Sequence, residues 1–194
     1  MEEKVTQRRK VLIGMTAAVG ASGIPFAAIP FVSAWNPSAK ARAMGAPVKV
    51  DISKMQIGQK IQVAWRKQPV FVIRHSSDAL ANLSRVIDKL DDPSSLNIDE
   101  PYRGQNPTRS SSKEFTIIAG VCTHLGCSPK YYPDMEPQPW DESWVGGFFC
   151  PCHGSMFDIV GRVFKGVPAP TNLKVPPHTF NGKILTIGED EGIA

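Results

Sequence analysis

The sequence of 194 residues lacks a strong excess of charge of either sign. It has 22 basic and 18 acidic residues, and its formal net charge is +4. A nucleic-acid-binding chain usually carries a basic patch interleaved with aromatic residues, and here the basic residues are scattered. The sequence therefore predicts no nucleic-acid partner. Its length allows one domain of ordinary size with an extension.

Charged residues are absent from residues 11–35, which follow the basic run Arg8-Arg9-Lys10. At 1.5 Å per residue this stretch would form about 37 Å of helix, enough to cross a hydrocarbon core of about 30 Å. Pro25 and Pro30 predict a kink in that helix. Positive charge before the span places residues 1–10 in the cytoplasm. The rest of the chain is therefore predicted to lie on the export side of a single-pass anchor.

The N-terminus also resembles a twin-arginine export signal, in the run Thr6-Gln-Arg-Arg-Lys-Val-Leu12. Such a signal suits a chain that crosses the membrane already folded. The alternative is a cleaved secretory peptide, for which Ala41-Arg-Ala43 resembles a cleavage site. That site lies far beyond the uncharged stretch, which is longer than a typical secretory core. An uncleaved anchor over residues 11–35 is therefore predicted.

Cysteine is scarce, and all four cysteines lie in two short runs together with two of the four histidines. The runs are Cys122-Thr-His124-Leu-Gly-Cys127 and Cys150-Pro-Cys152-His153-Gly-Ser155. Six sulfur or imidazole ligands are too many for one four-coordinate site. If one cysteine of each run enters a disulfide, the remaining set fits a [2Fe–2S] cluster with thiolates on one iron and imidazoles on the other. A zinc site is the alternative, but it leaves two cysteines without a role.

The two runs resemble those of the Rieske iron–sulfur protein family. Their form resembles the respiratory branch, the iron–sulfur subunit of quinol–cytochrome c reductase. The resemblance extends to the N-terminal anchor and to Lys165-Gly-Val-Pro-Ala-Pro170, and it implies one [2Fe–2S] cluster per chain. By the resemblance, Cys122 and Cys150 bind the inner iron, His124 and His153 bind the outer iron, and Cys127 pairs with Cys152 in a disulfide.

The resemblance also implies a reaction and its setting. A subunit of this family takes an electron, coupled to a proton, from ubiquinol and passes it to a c-type cytochrome, which contributes to the proton-motive force. His153 is implied to meet quinol, and His124 is the other exposed imidazole. The implied partners are quinol, cytochrome b and a c-type cytochrome subunit, in a dimeric complex of the bacterial inner membrane with the head in the periplasm. Another exported oxidoreductase, such as an arsenite oxidase, is the alternative.

Further residues receive roles by the same resemblance. The Ser155 hydroxyl is expected to donate to a bridging sulfide and to raise the potential of the cluster. The family usually has tyrosine two residues after that serine, whereas this sequence has Phe157, which cannot donate. The docking tip and the cover of the cluster are expected from Leu125, Gly126, Gly154, Gly166, Pro168 and Pro170. The chain alone is not expected to turn over, because it lacks haem-bearing partners.

The exported part is predicted to be all-β. Residues 36–47 have the composition of a linker, which in the resembled family is a hinge, and residues 48–194 form the head. By the resemblance, the head is a Rieske-type antiparallel β structure with a smaller cluster-binding subdomain over about residues 116–170. Asn181-Gly182 between two apolar runs predicts a two-residue hairpin near its end.

Two local expectations complete the head. Ser76 or Ser77 is positioned to cap a helix that ends at about Leu90, with one apolar face. The residues expected on that face are Leu80, Leu83, Ile87 and Leu90. His75 and His178 have no cysteine or histidine neighbours in the sequence, and both are expected at the surface or in turns.

Overall fold

A computed structural model of the protein describes residues 2–97 and 107–189. It divides into two compact units, Met1–Ala43 and Met44–Ala194. In the first unit, helix α1 covers Glu2–Ser33, and its portion Lys4–Ser33 is long and apolar enough to cross a membrane. The predicted linker, residues 36–47, contains a second helix, α2 (Ala39–Gly45).

Nine short strands build the head, within the residues described. They are β1 (Val48–Asp51), β2 (Lys60–Trp65), β3 (Gln68–Arg74), β4 (Phe115–Ala119), β5 (Lys130–Tyr132), β6 (Gly147–Phe149), β7 (Met156–Asp158), β8 (His178–Asn181) and β9 (Ile184–Ile187). They form three antiparallel sheets of three strands, in the orders β1-β9-β8, β2-β3-β4 and β5-β6-β7. The predicted antiparallel all-β class is therefore confirmed.

The sheet β2-β3-β4 lies between two apolar cores, because successive side chains of a strand point to opposite faces. In β3, Val70 and Val72 pack with Ile187 of β9 in one core. Phe71 and Ile73 pack in the other core, which also contains Phe148, Phe157 and both free cysteines. The second core therefore reaches from the middle sheet to the metal-binding runs.

A helix begins after β3 at the predicted position, but the prediction that one α-helix continues to about Leu90 is wrong. The Ser76 hydroxyl accepts a hydrogen bond from the Ala79 N–H at 3.1 Å and caps α3 (Ser77–Ala81). The chain then continues as a 3₁₀ helix, Asn82–Lys89. Since a 3₁₀ helix repeats every three residues, its buried side chains are Leu83 and Val86. Ile87, expected on the apolar face, is exposed instead.

The expected surface positions of His75 and His178 are wrong, because both rings are buried. The His178 Nδ1–H donates to the carbonyl of Pro176 at 2.8 Å, and its Nε2 lies 2.9 Å from the Ser110 hydroxyl. The His75 Nε2 lies 2.7 Å from Thr116 Oγ1, whose own proton is donated to a carbonyl. Burial lowers the pKa of each ring to about 4, so both stay neutral near pH 7.

The predicted hairpin near the end of the head is present with a shift of one residue. Asn181 pairs with Ile184, so β8 and β9 are joined by Gly182 and Lys183. Gly182 has φ of +59°, a conformation that side chains disfavour. Asn181 therefore closes the ladder and Gly182 makes the turn.

Candidate metal centre

The two cysteine-containing runs form two loops with the same backbone frame. In the first loop, residues 122–127, the Cys122 N–H donates to the Cys127 carbonyl at 2.8 Å and the Gly126 N–H donates to the Cys122 carbonyl at 3.0 Å. In the second loop, residues 150–155, the corresponding bonds join Cys150 to Ser155 at 2.8 Å and Gly154 to Cys150 at 2.9 Å. Each loop therefore presents its second to fourth residues outward from a closed base.

A glycine at the fifth position of each loop permits this frame. Gly126 has φ of +84° and Gly154 has φ of +77°, the left-handed region that strains residues with a Cβ. The first loop follows β4, and the second directly follows β6 and leads into β7. The two loops are therefore held by strands of two different sheets.

The four cysteines fall into two pairs. Cys127 and Cys152 are joined in a disulfide, the pairing that the resemblance implies, and it ties the two loops together. Cys122 and Cys150 are free and buried. Their thiols interact with each other, and burial, the largest effect, raises the pKa of the Cys122 thiol. A pair of buried thiols is suited to a metal, because a bound cation stabilises thiolates that would otherwise lie uncompensated in an apolar core.

The two histidines of the loops lie together on the outward side. The ring centroids of His124 and His153 are 4.7 Å apart, with the rings nearly perpendicular. His124 is half-buried and His153 is exposed. The structure thus brings together a buried pair of sulfurs and a pair of imidazoles nearer the surface, as ligation of two irons with different ligands requires.

A different grouping of sulfurs must be considered, because the Sγ atoms of Cys127, Cys150 and Cys152 lie within 4.8 Å of one another. Two of these atoms form the disulfide, so they are not available as thiolate ligands. The short distances among the three Sγ atoms therefore show only that the disulfide lies close to the Cys150 thiol. The available donors of the loops are two thiols and two imidazoles, and that set fits a [2Fe–2S] cluster of mixed ligation.

Two side chains beyond the ligands border the buried sulfurs. Ser155 is fully buried, and its hydroxyl interacts with the Cys122 thiol. Phe157 is also fully buried, in the same apolar core as Cys122 and Cys150, and it is paired across the strands with Phe148. A ring at this position closes the inner side of the site without offering it a proton.

The expected tip and cover of the site are largely at the surface. The Leu125 side chain is 70% exposed beside His124 and leaves apolar surface next to an imidazole. Gly166 has φ of +73° and begins the proline-rich segment. Pro168 and Pro170 are exposed, whereas Ala169 between them is buried. The segment therefore turns one residue inward and two outward.

Two contacts that hold this segment to the loops do not follow from the motifs. The Thr123 hydroxyl, between two candidate ligands, donates to the Thr171 carbonyl at 2.7 Å. The Ala169 N–H donates to Ser155 Oγ at 3.0 Å. The sequence indicates the first contact, because Thr123 is a hydroxyl residue between two candidate ligands. It indicates the second contact more weakly, since Ala169 carries the one N–H of Pro168-Ala169-Pro170.

Comparison with known families gives two matches along the chain. Residues 1–38 match the family described as the ubiquitinol-cytochrome C reductase Fe-S subunit TAT signal. Residues 47–177 match the Rieske [2Fe-2S] domain.

Similar proteins cover nearly the whole chain. The ubiquinol-cytochrome c reductase iron-sulfur subunit of Allochromatium vinosum is 51% identical over 188 residues, which cover 96% of this chain and 91% of that protein. The subunit of the same description from Blastochloris viridis is 40% identical over 179 residues, which cover 89% of this chain and 87% of that protein. A chain in a solved structure of a hyperthermophilic respiratory Complex III is 28% identical, with a TM-score of 0.49, and the match covers 91% of this chain and 98% of that chain.

Proposed function

The chain belongs to the Rieske [2Fe-2S] family, and from this premise we propose that it takes an electron and a proton from ubiquinol and passes the electron to a c-type cytochrome. It is the iron–sulfur, electron-transfer subunit of a quinol–cytochrome c reductase and carries a [2Fe–2S] cluster. The observation that carries the proposal is the arrangement of the possible iron ligands in the two loops. Two thiols are buried, two imidazoles lie outward, and the other two cysteines are in a disulfide.

We assign Cys122 and Cys150 as the thiolate ligands and His124 and His153 as the imidazole ligands. When bound, the cluster supplies a one-electron acceptor. Imidazole replaces two anionic thiolates, so this donor set carries less negative charge than four cysteines and favours acceptance of an electron. The buried core around Phe148 and Phe157 keeps water from the thiolate side.

His153 is the residue we assign to quinol. Its ring is exposed, and the nitrogen not used for metal binding is able to accept a hydrogen bond or a proton from a quinol hydroxyl. The exposed Leu125 side chain adds apolar surface beside the imidazoles. This surface suits contact with the hydrocarbon-rich environment from which a quinol arrives.

The protein has a twin-arginine-type N-terminus and an apolar helix, and it is anchored and exported. We propose more specifically that it lies in the bacterial inner membrane, with residues 1–10 in the cytoplasm and the head in the periplasm. The basic residues Arg8, Arg9 and Lys10 before the uncharged stretch support this orientation. The role of residues 36–47 as a hinge remains a prediction.

The family places the protein in a cytochrome bc complex. We propose cytochrome b and a c-type cytochrome as its direct partners, in a dimeric complex. The assigned imidazole ligands are able to meet both partners in turn only if the tip formed by His124, Leu125 and His153 is the contact surface. The proposal therefore predicts that one surface serves quinol oxidation and cytochrome reduction.

The experiment that tests this proposal is purification of the full chain from detergent-solubilised membranes. We expect copurified haem-bearing subunits, two irons per chain, and a rhombic electron paramagnetic resonance signal of low average g value after reduction. A His153→Ala variant purified in the same way is the matched control and should lose that signal. Zinc in place of iron, or iron with no haem-bearing partner, would contradict the ligand assignment or the partner assignment respectively.

A further inference from the structure

The hydrogen bond between the proline-rich segment and the second loop is buried. The Ala169 N–H donates to Ser155 Oγ at 3.0 Å, and both residues are at most 5% exposed. Water is therefore not available to replace either partner, and the bond fixes its geometry more firmly than an exposed one would. The neighbours of Ala169 are prolines, which hold the backbone of the segment stiff.

This bond has a consequence for the direction of the serine proton. A hydroxyl has one proton to donate and two lone pairs that accept, and its proton rotates to suit its surroundings. Since the amide of Ala169 occupies one lone pair, the proton of Ser155 must point away from that amide. The free, buried Cys122 thiol is the group to which this hydroxyl is hydrogen-bonded.

We propose that the Ala169 N–H is a positioning group, which holds the Ser155 hydroxyl in the rotamer that donates to the sulfurs of the metal site. The inference rests on the proposed assignment of Cys122 as a ligand. A donor aimed at the sulfurs stabilises the more negative, reduced state, so the bond raises the midpoint potential. The covering segment thus sets the potential through an amide proton as well as limiting water.

The rest of the segment is held in a way that makes this possible. The Thr123 hydroxyl donates to the Thr171 carbonyl, and the Leu173 N–H donates to the Gly161 carbonyl at 2.8 Å. These contacts fix the end of the segment to the first loop and to the chain beyond β7. Ala169 therefore reaches Ser155 from a segment that is anchored directly after Pro170.

The test removes the amide proton without removing the serine. Ala169→Pro deletes the N–H, and Ala169→Gly is the matched control that keeps it and loses only the methyl group. Both are made in the full chain and again together with Ser155→Ala. We expect Ala169→Pro to lower the midpoint potential by a part of the shift that Ser155→Ala causes, and to cause no further shift when Ser155 is already alanine. Ala169→Gly should leave the potential close to that of the unmodified chain.

Two results of this cycle would overturn the inference. One is an equal shift from Ala169→Pro in both backgrounds, which would mean that proline distorts the segment in general. The other is an unchanged potential in Ala169→Pro. Retention of the cluster's absorption spectrum in all variants keeps the ligand assignment, so failure of the inference and failure of the proposed function are distinguishable.

A second measurement decides the matter if Ala169→Pro does not bind a cluster. Hydrogen exchange in the full chain is compared between the unmodified protein and Ser155→Ala. We expect exchange of the Ala169 amide to be at least tenfold faster in Ser155→Ala, because its acceptor is removed, while the Leu173 amide keeps its protection. Equal protection of the Ala169 amide in both proteins would show that it does not depend on Ser155 and would overturn the inference.

Discussion

The two metal-binding loops share one backbone frame and differ at four of its six positions, three of which bear on the metal centre. At the third position the first loop has His124 and the second has Cys152, and at the fourth the first has Leu125 and the second has His153. At the last position Cys127 stands opposite Ser155. Both loops begin with a free, buried cysteine and have glycine before their last residue. The same backbone frame therefore occurs twice, and its two copies carry different side chains.

The difference shows where the disulfide joins the two loops and where a side chain is placed to change the potential of the cluster. The first loop places its disulfide cysteine at the base, and the second places its disulfide cysteine at the exposed tip. The base of the second loop is thereby free to hold Ser155, which interacts with Cys122 of the first loop. The first loop presents an apolar side chain, Leu125, where the second presents an imidazole. We infer that the first loop mainly forms the docking surface and the second mainly tunes the site and meets quinol.

The largest expected effect is loss of the cluster when any proposed ligand is removed, in either loop. Cys122→Ser and Cys150→Ser remove thiolates, and His124→Ala and His153→Ala remove imidazoles. Each variant should lack the absorption and resonance signals of the cluster. Leu125→Ala is the control, because it changes the position that corresponds to His153 and removes no donor. A full cluster signal in any of the four ligand variants would refute the assignment of that residue as a ligand.

The disulfide tests whether the loops must be tied together. It joins residues 25 apart in sequence, and closing a loop of that size is worth about 3 kcal/mol in the unfolded-state model. Cys127→Ser and Cys152→Ser should therefore each lower the free energy of unfolding by about that amount and leave a more labile cluster. Urea denaturation monitored by tryptophan fluorescence would measure this loss. The double variant should match the single ones, and a clearly additive loss would show that each cysteine acts separately from the bond.

The buried histidines contrast with the loop histidines and predict a pH dependence. The pKa of His75 and of His178 is about 4 when folded, whereas an unfolded histidine titrates near 6.5. Between these values the unfolded chain binds more protons, so stability falls as the pH is lowered. The loss from pH 7 to pH 5 is about 2 kcal/mol for each ring, and it levels off below the folded pKa.

The variant His75→Gln measures how much of this loss of stability comes from His75. Its amide is able to replace the donor that faces Thr116, and it does not titrate. Urea midpoints at pH 5 and pH 7 should differ less in this variant than in the unmodified chain. Comparing the two proteins removes the acid sensitivity that comes from the metal site. An identical pH dependence in both would show that His75 is not the group responsible.

The glycines test the shared frame directly, with a smaller effect. Gly126→Ala and Gly154→Ala should each cost about 1–2 kcal/mol, because the left-handed conformation disfavours a Cβ. No side-chain clash adds to this, since the nearest atom to a Cβ at Gly126 is a methyl group of Val121 at 4.0 Å and Gly154 has nothing within 4 Å. Gly58→Ala is the control, with φ of +81° and an open surrounding outside the loops. The loop variants should also weaken cluster retention, and the control should not.

The [2Fe–2S] cofactor could be predicted from the sequence, because the cysteines, histidines and glycines of each motif are close together in the chain. The capping of α3 by Ser76 was readable for the same reason. The 3₁₀ form of the following helix was not, since apolar spacings of three and four residues favour an α-helix, whereas a 3₁₀ helix repeats every three residues. The buried histidines were missed because the pairing of His178 with Ser110 spans 68 residues. The bond from Ala169 to Ser155 depends in the same way on how the sheets bring separate segments together.

The smallest expected effect concerns Phe157, which lies among the free cysteines without a hydroxyl to offer. Phe157→Tyr would introduce a donor on the side of the second loop. A donor to the sulfurs favours the reduced state by charge alone, so the midpoint potential should rise by tens of millivolts, which is below about 1.4 kcal/mol for one electron. A redox titration followed by circular dichroism would measure the shift. Ser155→Ala removes a donor and should lower the potential, so its shift is the reference against which the rise in Phe157→Tyr is compared.

The same variant distinguishes a new donor from mere overpacking. Phe157 is fully buried, so a tyrosine hydroxyl that finds no acceptor would cost about 1–3 kcal/mol of stability. A raised potential with little loss of stability would mean that the hydroxyl reaches a sulfur. An unchanged potential with lowered stability would mean that the ring faces away from the sulfurs, and that the second loop tunes the site through Ser155 without help from β7. In that case the asymmetry between the two loops would rest on one hydroxyl and the amide that holds it.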